Sequence, residues 1–490
     1  MPPDRPSRPN VLLICTDHWS DMFTRPAGHP VVMTPTIAQL ARSGTRFTRA
    51  YSACPSCIPA RKSLMTGLRP RTHGDRVYRD HVPLPPDRPT LAQCFRDAGY
   101  QAHAVGKMHL WPQRERAGFD DVLLEEQGRH QFQDIPEGVA DDWELFLIEQ
   151  GHTGEEYAGG MTHNDWVTRP WHLPERCHPI NWACREMCKV IRRRDPRKPG
   201  FWYLSFSAPH PPVTPLQSYM DLYRDVEIDM PVIGSWAQDF DALPYCLKTR
   251  GYPSALHGAR PHEIRLARQA YYATLTHIDH QIRTVIGYLR EAGLLDDTII
   301  AFTSDHGHMV GEHDLWSMTH LYEASAKIPL IIVPPKGEER LGVNAEDDRF
   351  AEFGDIMPTL LDLAGIPIPP GVDQQSLISN PPRDYLYGEH GEGVLAQRMN
   401  RQGRLKLLYY PVGNVFQLFD LEADPRETQD LASVPAYAAD LDAMKNLLIE
   451  NLLDSDFEWL QNGELVGLPE KTFVPPSTKH LMGQRGIRFY

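Results

Sequence analysis

The sequence predicts an α/β protein built on a mostly parallel sheet flanked by helices, with a smaller C-terminal α+β domain behind it. Three observations carry this. Short apolar runs bounded by Gly, Pro or Asp alternate with helical patterns over residues 1–375, the signature of strands buried on both faces. Four of those runs end in polar clusters, as strand ends do at the ligand edge of an open parallel sheet. Beyond about residue 375 the pattern changes to short strands followed by one helix, which marks residues 376–490 as a separate, smaller unit.

In order, residues 10–16 read as a buried strand, 34–44 and 90–99 as helices closing at Gly44 and Gly99, and 101–105 as a second strand. Residues 201–207, 298–304 and 328–333 repeat the short apolar run, and 262–293 carry one long amphipathic helical pattern. Residues 111–200 are rich in Trp, His and charge with weak periodicity. They read as an excursion over the ligand edge that selects substrate. The basic run 192–198 reads as a solvated turn. In the C-terminal unit, 385–388, 405–410 and 417–421 read as strands and 436–452 as a helix.

Composition narrows the function. With 50 Lys and Arg against 64 Asp and Glu, the chain of 490 residues carries a formal charge of -14, which opposes a broad basic footprint for nucleic acid or anionic membrane. An anionic substrate must therefore meet a local cationic pocket. The first apolar run, Val11 to Cys15, is too short for a signal-peptide core or a membrane span, so the chain reads as cytoplasmic. Eight cysteines in a chain of this length do not make a disulfide framework. Cys54 and Cys57 have the spacing of a redox or zinc pair, but no second pair follows at zinc-site distance. The terminal segment 483–490, with Arg485, Arg488, Phe489 and Tyr490, offers a surface to a partner subunit and leaves a homo-oligomer open.

The polar strand ends are Asp17-His18, Gly106-Lys107-Met108-His109, Ala208-Pro209-His210 and Asp305-His306-Gly307. Together they bring carboxylates, imidazoles and an ammonium to one edge. Between the first two lies Cys57-Ile58-Pro59-Ala60-Arg61, continuing to Thr66-Gly67-Leu68-Arg69. This resembles the C-x-P-x-R and T-G-x-R signature of the type I sulfatases, in which the cysteine becomes formylglycine. Gly106 to Leu110 is similar to the family's G-K-x-H-L element, Pro209 to Pro212 to its P-H-x-P element, and Ser304 to Gly307 to its S-D-H-G metal element. Thr34-Pro35, Asp355 to Leu361 and Leu418 to Pro425 match further family patterns, so the resemblance spans roughly residues 10 to 430.

The resemblance implies an alkaline-phosphatase-like fold and hydrolysis of sulfate monoesters through a covalent sulfo-enzyme intermediate. A hydrated formylglycine at Cys57 offers two geminal hydroxyls, one to attack sulfur and one to lose a proton and expel sulfate. It further implies one divalent metal held by Asp17, His18, Cys57, Asp305 and His306. Hard carboxylates suit Ca²⁺, whereas the two imidazoles bring Mn²⁺ forward as the alternative. Arg61 would hold the hydrate and a sulfate oxygen, Lys107 would meet sulfate charge, His109 would act as base, and His210 would bind sulfate or protonate the leaving alcohol. A sulfate-ester substrate and a formylglycine-generating (sulfatase-maturating) enzyme are the implied partners.

The chain departs from the family in one place. Leu315-Trp316-Ser317-Met318 stands where the family reads L-W-x-K, so Met318 replaces a sulfate-binding lysine. Either His320 or Lys327 takes over, or the leaving group needs less help; His308 and His313 read as structural. Within the superfamily the alternative is a phosphonate monoester or phosphodiester hydrolase, which typically lacks the Lys107 and His109 pair. A fold kept for binding alone predicts sulfate esters held without turnover, and a Cys54–Cys57 redox protein predicts a titratable disulfide.

Overall fold

The computed structural model describes residues 8–126, 140–158, 166, 168–251 and 258–474. The terminal segment 483–490 and parts of the 111–200 stretch lie outside the described residues. Eight strands form one sheet: β1 (Asn10–Thr16), β2 (Thr45–Tyr51), β3 (Gln101–Gly106), β4 (Asp121–Leu124), β5 (Gly200–Ser205), β6 (Thr298–Ser304), β7 (Leu330–Val333) and β8 (Ala345–Glu352). Their order is β4-β3-β5-β1-β6-β7-β2-β8. Every neighbouring pair is parallel except those made by β7, which runs antiparallel to both β6 and β2.

The central strand shows why its sequence is a continuous apolar run. All seven residues of β1 are buried, because helices cover both faces of the sheet. Leu12 and Ile14 face α1 (Pro35–Ser43), α4 (Pro179–Arg193) and α5 (Pro261–Glu291), whereas Val11, Leu13 and Cys15 face α2 (Cys57–Thr66), α3 (Leu91–Asp97) and α6 (Ile356–Leu363). The period of two along the strand thus feeds two separate apolar layers.

In the C-terminal part, β9 (Tyr385–His390), β10 (Gln397–Gln402), β11 (Leu405–Tyr410) and β12 (Val415–Asp420) form an antiparallel meander. One face packs Leu407, Tyr409 and Leu418 against Met444 and Leu448 of α7 (Ala438–Glu450). The other packs Leu386, Met399, Leu408 and Phe419 against Tyr51, Leu321 and Tyr322. Among the described residues, part of the 111–200 stretch belongs to the main fold. Its β4 extends the main sheet, and α4 buries Ile180, Trp182, Ala183, Cys184, Met187 and Ile191 against it and α5. Trp and Cys at helical spacing supply that apolar face, which is why the periodicity looked weak.

Three buried histidines and half-buried His73 give the fold an acid weakness. Burial first of all holds His73 and His320 down to about 3, and His178 and His313 down to about 4. In the unfolded chain histidine titrates near ~6.5. Between ~pH 6.5 and 4 the unfolded state therefore binds more protons, and the stability present above that window is lost as pH falls through it. Glu427, pushed up to about 7 by burial, acts in the opposite direction as a single group. We expect a lower Tm at pH 5 than at pH 7.5; a Tm that rises on acidification would contradict the neutral burial of these rings.

Candidate active site

Parallel strands place their carboxyl ends together, and five of them meet here. β1 delivers Asp17 and His18, β6 delivers Asp305 and His306, and β3 delivers Lys107 and His109. The chain beyond β5 brings His210, and β2 leads through residues 52–56 to Cys57 at the first turn of α2. Pro59 is tolerated in that turn, where its missing N–H has no helical partner to lose. Gly67 closes the helix at φ 64, where an added Cβ would lie 2.8 Å from Val372.

The Cys57 Sγ lies 3.6 and 3.8 Å from the two carboxylate oxygens of Asp17 and 3.2 Å from His306 Nε2. Burial, aided by Asp17, raises its thiol pKa well above the ordinary value. Lys107 Nζ donates to Asp17. Burial works against the Lys107 charge, but Asp17 outweighs it and the pKa is raised; burial likewise opposes ionisation of Asp17, yet Lys107 and His18 hold its pKa well down. Asp305 is raised, first by burial and then by Asp17.

Arg61 is turned away from the cavity and into this framework. Its Nε donates to Asp305 Oδ2 at 2.7 Å, and its Nη1 to Lys107 O at 2.9 Å, Tyr203 OH at 3.1 Å and Ser205 Oγ at 2.8 Å. Its buried Nη2 has no hydrogen-bond partner among the described residues. Tyr203 and Ser205 were missed in the sequence, although their i, i+2 spacing on β5 places both on one face.

A cation fits this set. Asp17, His18, Cys57 and His306 offer four ligand atoms within 4.8 Å of one another. Both ring nitrogens of buried His18 lack a hydrogen-bond partner among the described residues, an uncompensated cost unless something else binds there. His18 is also held at φ 62, its carbonyl accepting from Tyr271 OH at 2.6 Å. Asp305 stands at the margin of the cluster, Oδ1 lying 3.7 Å from His306 Nε2 while it accepts the His306 amide at 2.9 Å.

These groups open onto a cavity of about 300 Å³ lined by His18, Cys57, Lys107, His109 and His210, with Tyr78, Glu126, His308, Trp316 and Met318 around them. The sequence reading had not placed Tyr78 or Glu126 here. Glu126 accepts the amides of Met108 and His109 at 2.9 and 2.6 Å and so sets the turn that aims His109. His210 is held down to about 4 by burial and by Lys107. A larger cleft of about 750 Å³, between α1 and α5, is lined by no histidine or cysteine. Cys54 and Cys57 are both free thiols, as are the other six cysteines. No helix among the described residues is long and apolar enough to cross a membrane.

Comparison with known proteins gives matches over nearly the whole chain. The family model described as Sulfatase matches residues 9–366, and that described as N-sulphoglucosamine sulphohydrolase, C-terminal, matches residues 311–453. An arylsulfatase of Clostridium perfringens is 35% identical over 95% of this chain and 99% of its own. A choline-sulfatase of Rhizobium meliloti is 30% identical over 87% and 83%. Among solved structures, the phosphonate monoester hydrolase of Agrobacterium radiobacter superposes with a TM-score of 0.77 at 24% identity, over 94% of this chain and 100% of that one.

Proposed function

The chain belongs to the sulfatase family of the alkaline phosphatase superfamily and is a sulfuric ester hydrolase; on that premise we propose that it cleaves sulfate monoesters at Cys57 after conversion of that residue to formylglycine, with one divalent metal. The observation that carries this reading is the convergence of fully buried Asp17 and His306 on Cys57, and of Lys107 on Asp17, with Cys57 and Lys107 lining one cavity. Formylglycine supplies geminal hydroxyls, one for attack on sulfur and one whose deprotonation expels sulfate from the covalent sulfo-enzyme. Asp17, His18, Asp305, His306 and the position-57 oxygen would hold the metal, Ca²⁺ first and Mn²⁺ as the alternative, which supplies Lewis acidity there.

The protein's own residues then have separate tasks. Lys107 neutralises the incoming sulfate, which offsets the charge a net-acidic chain would otherwise turn against it. His109 takes the proton of the second hydroxyl, and His210 binds sulfate or donates to the leaving alcohol. Arg61 positions the others: its fork fixes Asp305 and the Lys107 backbone at once. We place this chemistry in residues 1–375, with 376–490 as the smaller supporting unit, and assign maturation to a formylglycine-generating enzyme.

The superfamily alternative, phosphonate monoester or phosphodiester hydrolysis, is tested by the same assay. With position 57 converted, kcat/KM should favour an aryl sulfate over the matching aryl phosphonate by about 10-fold or more. Chelation should abolish turnover of either ester, and Ca²⁺ or Mn²⁺ should restore it. A preference for the phosphonate would replace the sulfatase reaction with the alternative, and indifference to chelator would remove the metal.

A further inference from the structure

Met318 lines the cavity with Cys57, Lys107 and His210, and its thioether offers neither charge nor proton where the family's lysine is expected. The two substitutes suggested by the sequence do not line that cavity. His320 is fully buried, its Nε2 2.8 Å from Ser317 Oγ, and Lys327 stands 3.6 Å from Asp21. His308, which read as structural, does line it.

The backbone decides which His308 nitrogen carries the proton. The Val310 amide donates to His308 Nδ1 at 3.0 Å; a ring nitrogen that accepts an amide hydrogen carries none, so the neutral ring bears its proton on Nε2. Among the described residues Val310 is the ring's hydrogen-bond partner, which leaves Nε2–H for the cavity. The ring stacks on His18 at 5.1 Å between centroids, and Trp166 meets it edge-on, also at 5.1 Å.

The donor that sets this tautomer is itself braced. Val310 sits at φ 48, a conformation a β-branched residue adopts only under constraint. Its carbonyl accepts from Arg268 Nη1 at 3.0 Å, and this fully buried guanidinium also pairs with Glu312 at 3.2 Å and with Asp229. A chain of contacts from Asp229 and Glu312 through Arg268 and Val310 therefore holds the His308 ring in one orientation.

We propose that His308, through Nε2–H, is the catalytic hydrogen-bond donor to the sulfate ester in place of the lysine missing at Met318, an assignment that rests on the sulfatase reading above. A neutral N–H supports charge developing on oxygen as the S–O bond breaks, but supplies less than an ammonium does. The substrates that suit this site are esters of acidic alcohols, phenols above all, whose oxygen carries its own negative charge.

The test measures kcat and KM on a series of aryl sulfates of graded phenol acidity, each variant being scored once the mass of the Cys57 peptide shows conversion. His308→Ala should lower kcat by about 100-fold with little change in KM, the scale of losing one preorganised donor. The loss should be steeper for less acidic phenols. His308→Gln, which keeps an N–H donor, should recover part of it, and adding Met318→Lys to His308→Ala should recover about 10-fold. Should the alanine variant not fold, His308→Phe fills the space without a donor and carries the same expectation. A correctly folded donorless variant within about 3-fold of the parent overturns the proposal, as does a Met318→Lys addition that recovers nothing. A converted parent that leaves every aryl sulfate intact removes the sulfatase reading and this assignment with it.

Discussion

Cys57→Ala should lower kcat on an aryl sulfate by about 10⁴-fold or more, the scale on which enzymes respond to loss of a nucleophile. Cys57 Sγ sits 3.2 Å from His306 Nε2 and 3.6 Å from Asp17, and no other cysteine lines that cavity, so nothing nearby inherits its task. Cys57→Ser separates two demands of the chemistry. It supplies one hydroxyl for attack but no second one to expel sulfate, so at most about one turnover per chain is expected. Peptide mass gives the companion measurement: conversion of the parent cysteine makes the peptide about 18 Da lighter. Undiminished turnover by the alanine variant would remove position 57 from the mechanism.

Arg61→Met should cost stability as well as rate. The guanidinium is fully buried and meets Asp305 at 2.7 Å, so its removal strands a carboxylate in the core. Breaking a buried pair from one side costs about 3–5 kcal/mol. The same change frees the Lys107 carbonyl, Tyr203 and Ser205 from a shared donor, and kcat should fall by about 100-fold as Lys107 and Asp305 lose their alignment. Arg61→Lys restores the charge without the fork, so it should recover part of the Tm and little of the rate. An Arg61→Met protein that melts like the parent would contradict the buried pair.

The strands that were legible in the sequence are those whose burial is apolar. β1, β3, β5 and β6 sit between helices, and their runs stand out from the flanking Gly, Pro and Asp. β2 and β10 did not stand out, because they bury or half-bury arginines whose partners are far away in the chain; β8 did not because its first half is charged and only half-buried. Arg46 of β2 reaches Asp21 at 2.9 Å and Glu346 at 2.9 Å; Arg398 of β10 reaches Asp456 at 2.6 Å; Arg401 reaches Tyr51 OH at 3.2 Å. Polar residues paired by tertiary contacts carry no periodic signal.

The site divides in the same way. Asp17, His18, Lys107, His109, Asp305 and His306 were legible because each directly follows a recognisable strand. The orientation of Arg61 was not, since it depends on Tyr203, Ser205 and the Lys107 carbonyl, which only the folded sheet brings together. Nor was the place of His308, because its tautomer depends on a backbone amide at an unusual φ. Glu126 and Trp166 lie in the stretch whose helical and strand character the aromatic content obscured.

Under the conversion proposed above, the depth of Cys57, 1% exposed at the start of α2, puts that step on a clock. In the folded chain Cys57 is buried in the first turn of α2, so an enzyme acting on it would have to reach the chain before it closes. β1 cannot be flanked on both sides until β6 at Thr298–Ser304 has been made. About 250 residues of synthesis separate Cys57 from that strand, roughly 10–50 s at ordinary translation rates. On that proposal, chains that close before conversion keep the thiol, and the active fraction of a preparation is expected to reflect a race between two rates during synthesis that only unfolding reopens.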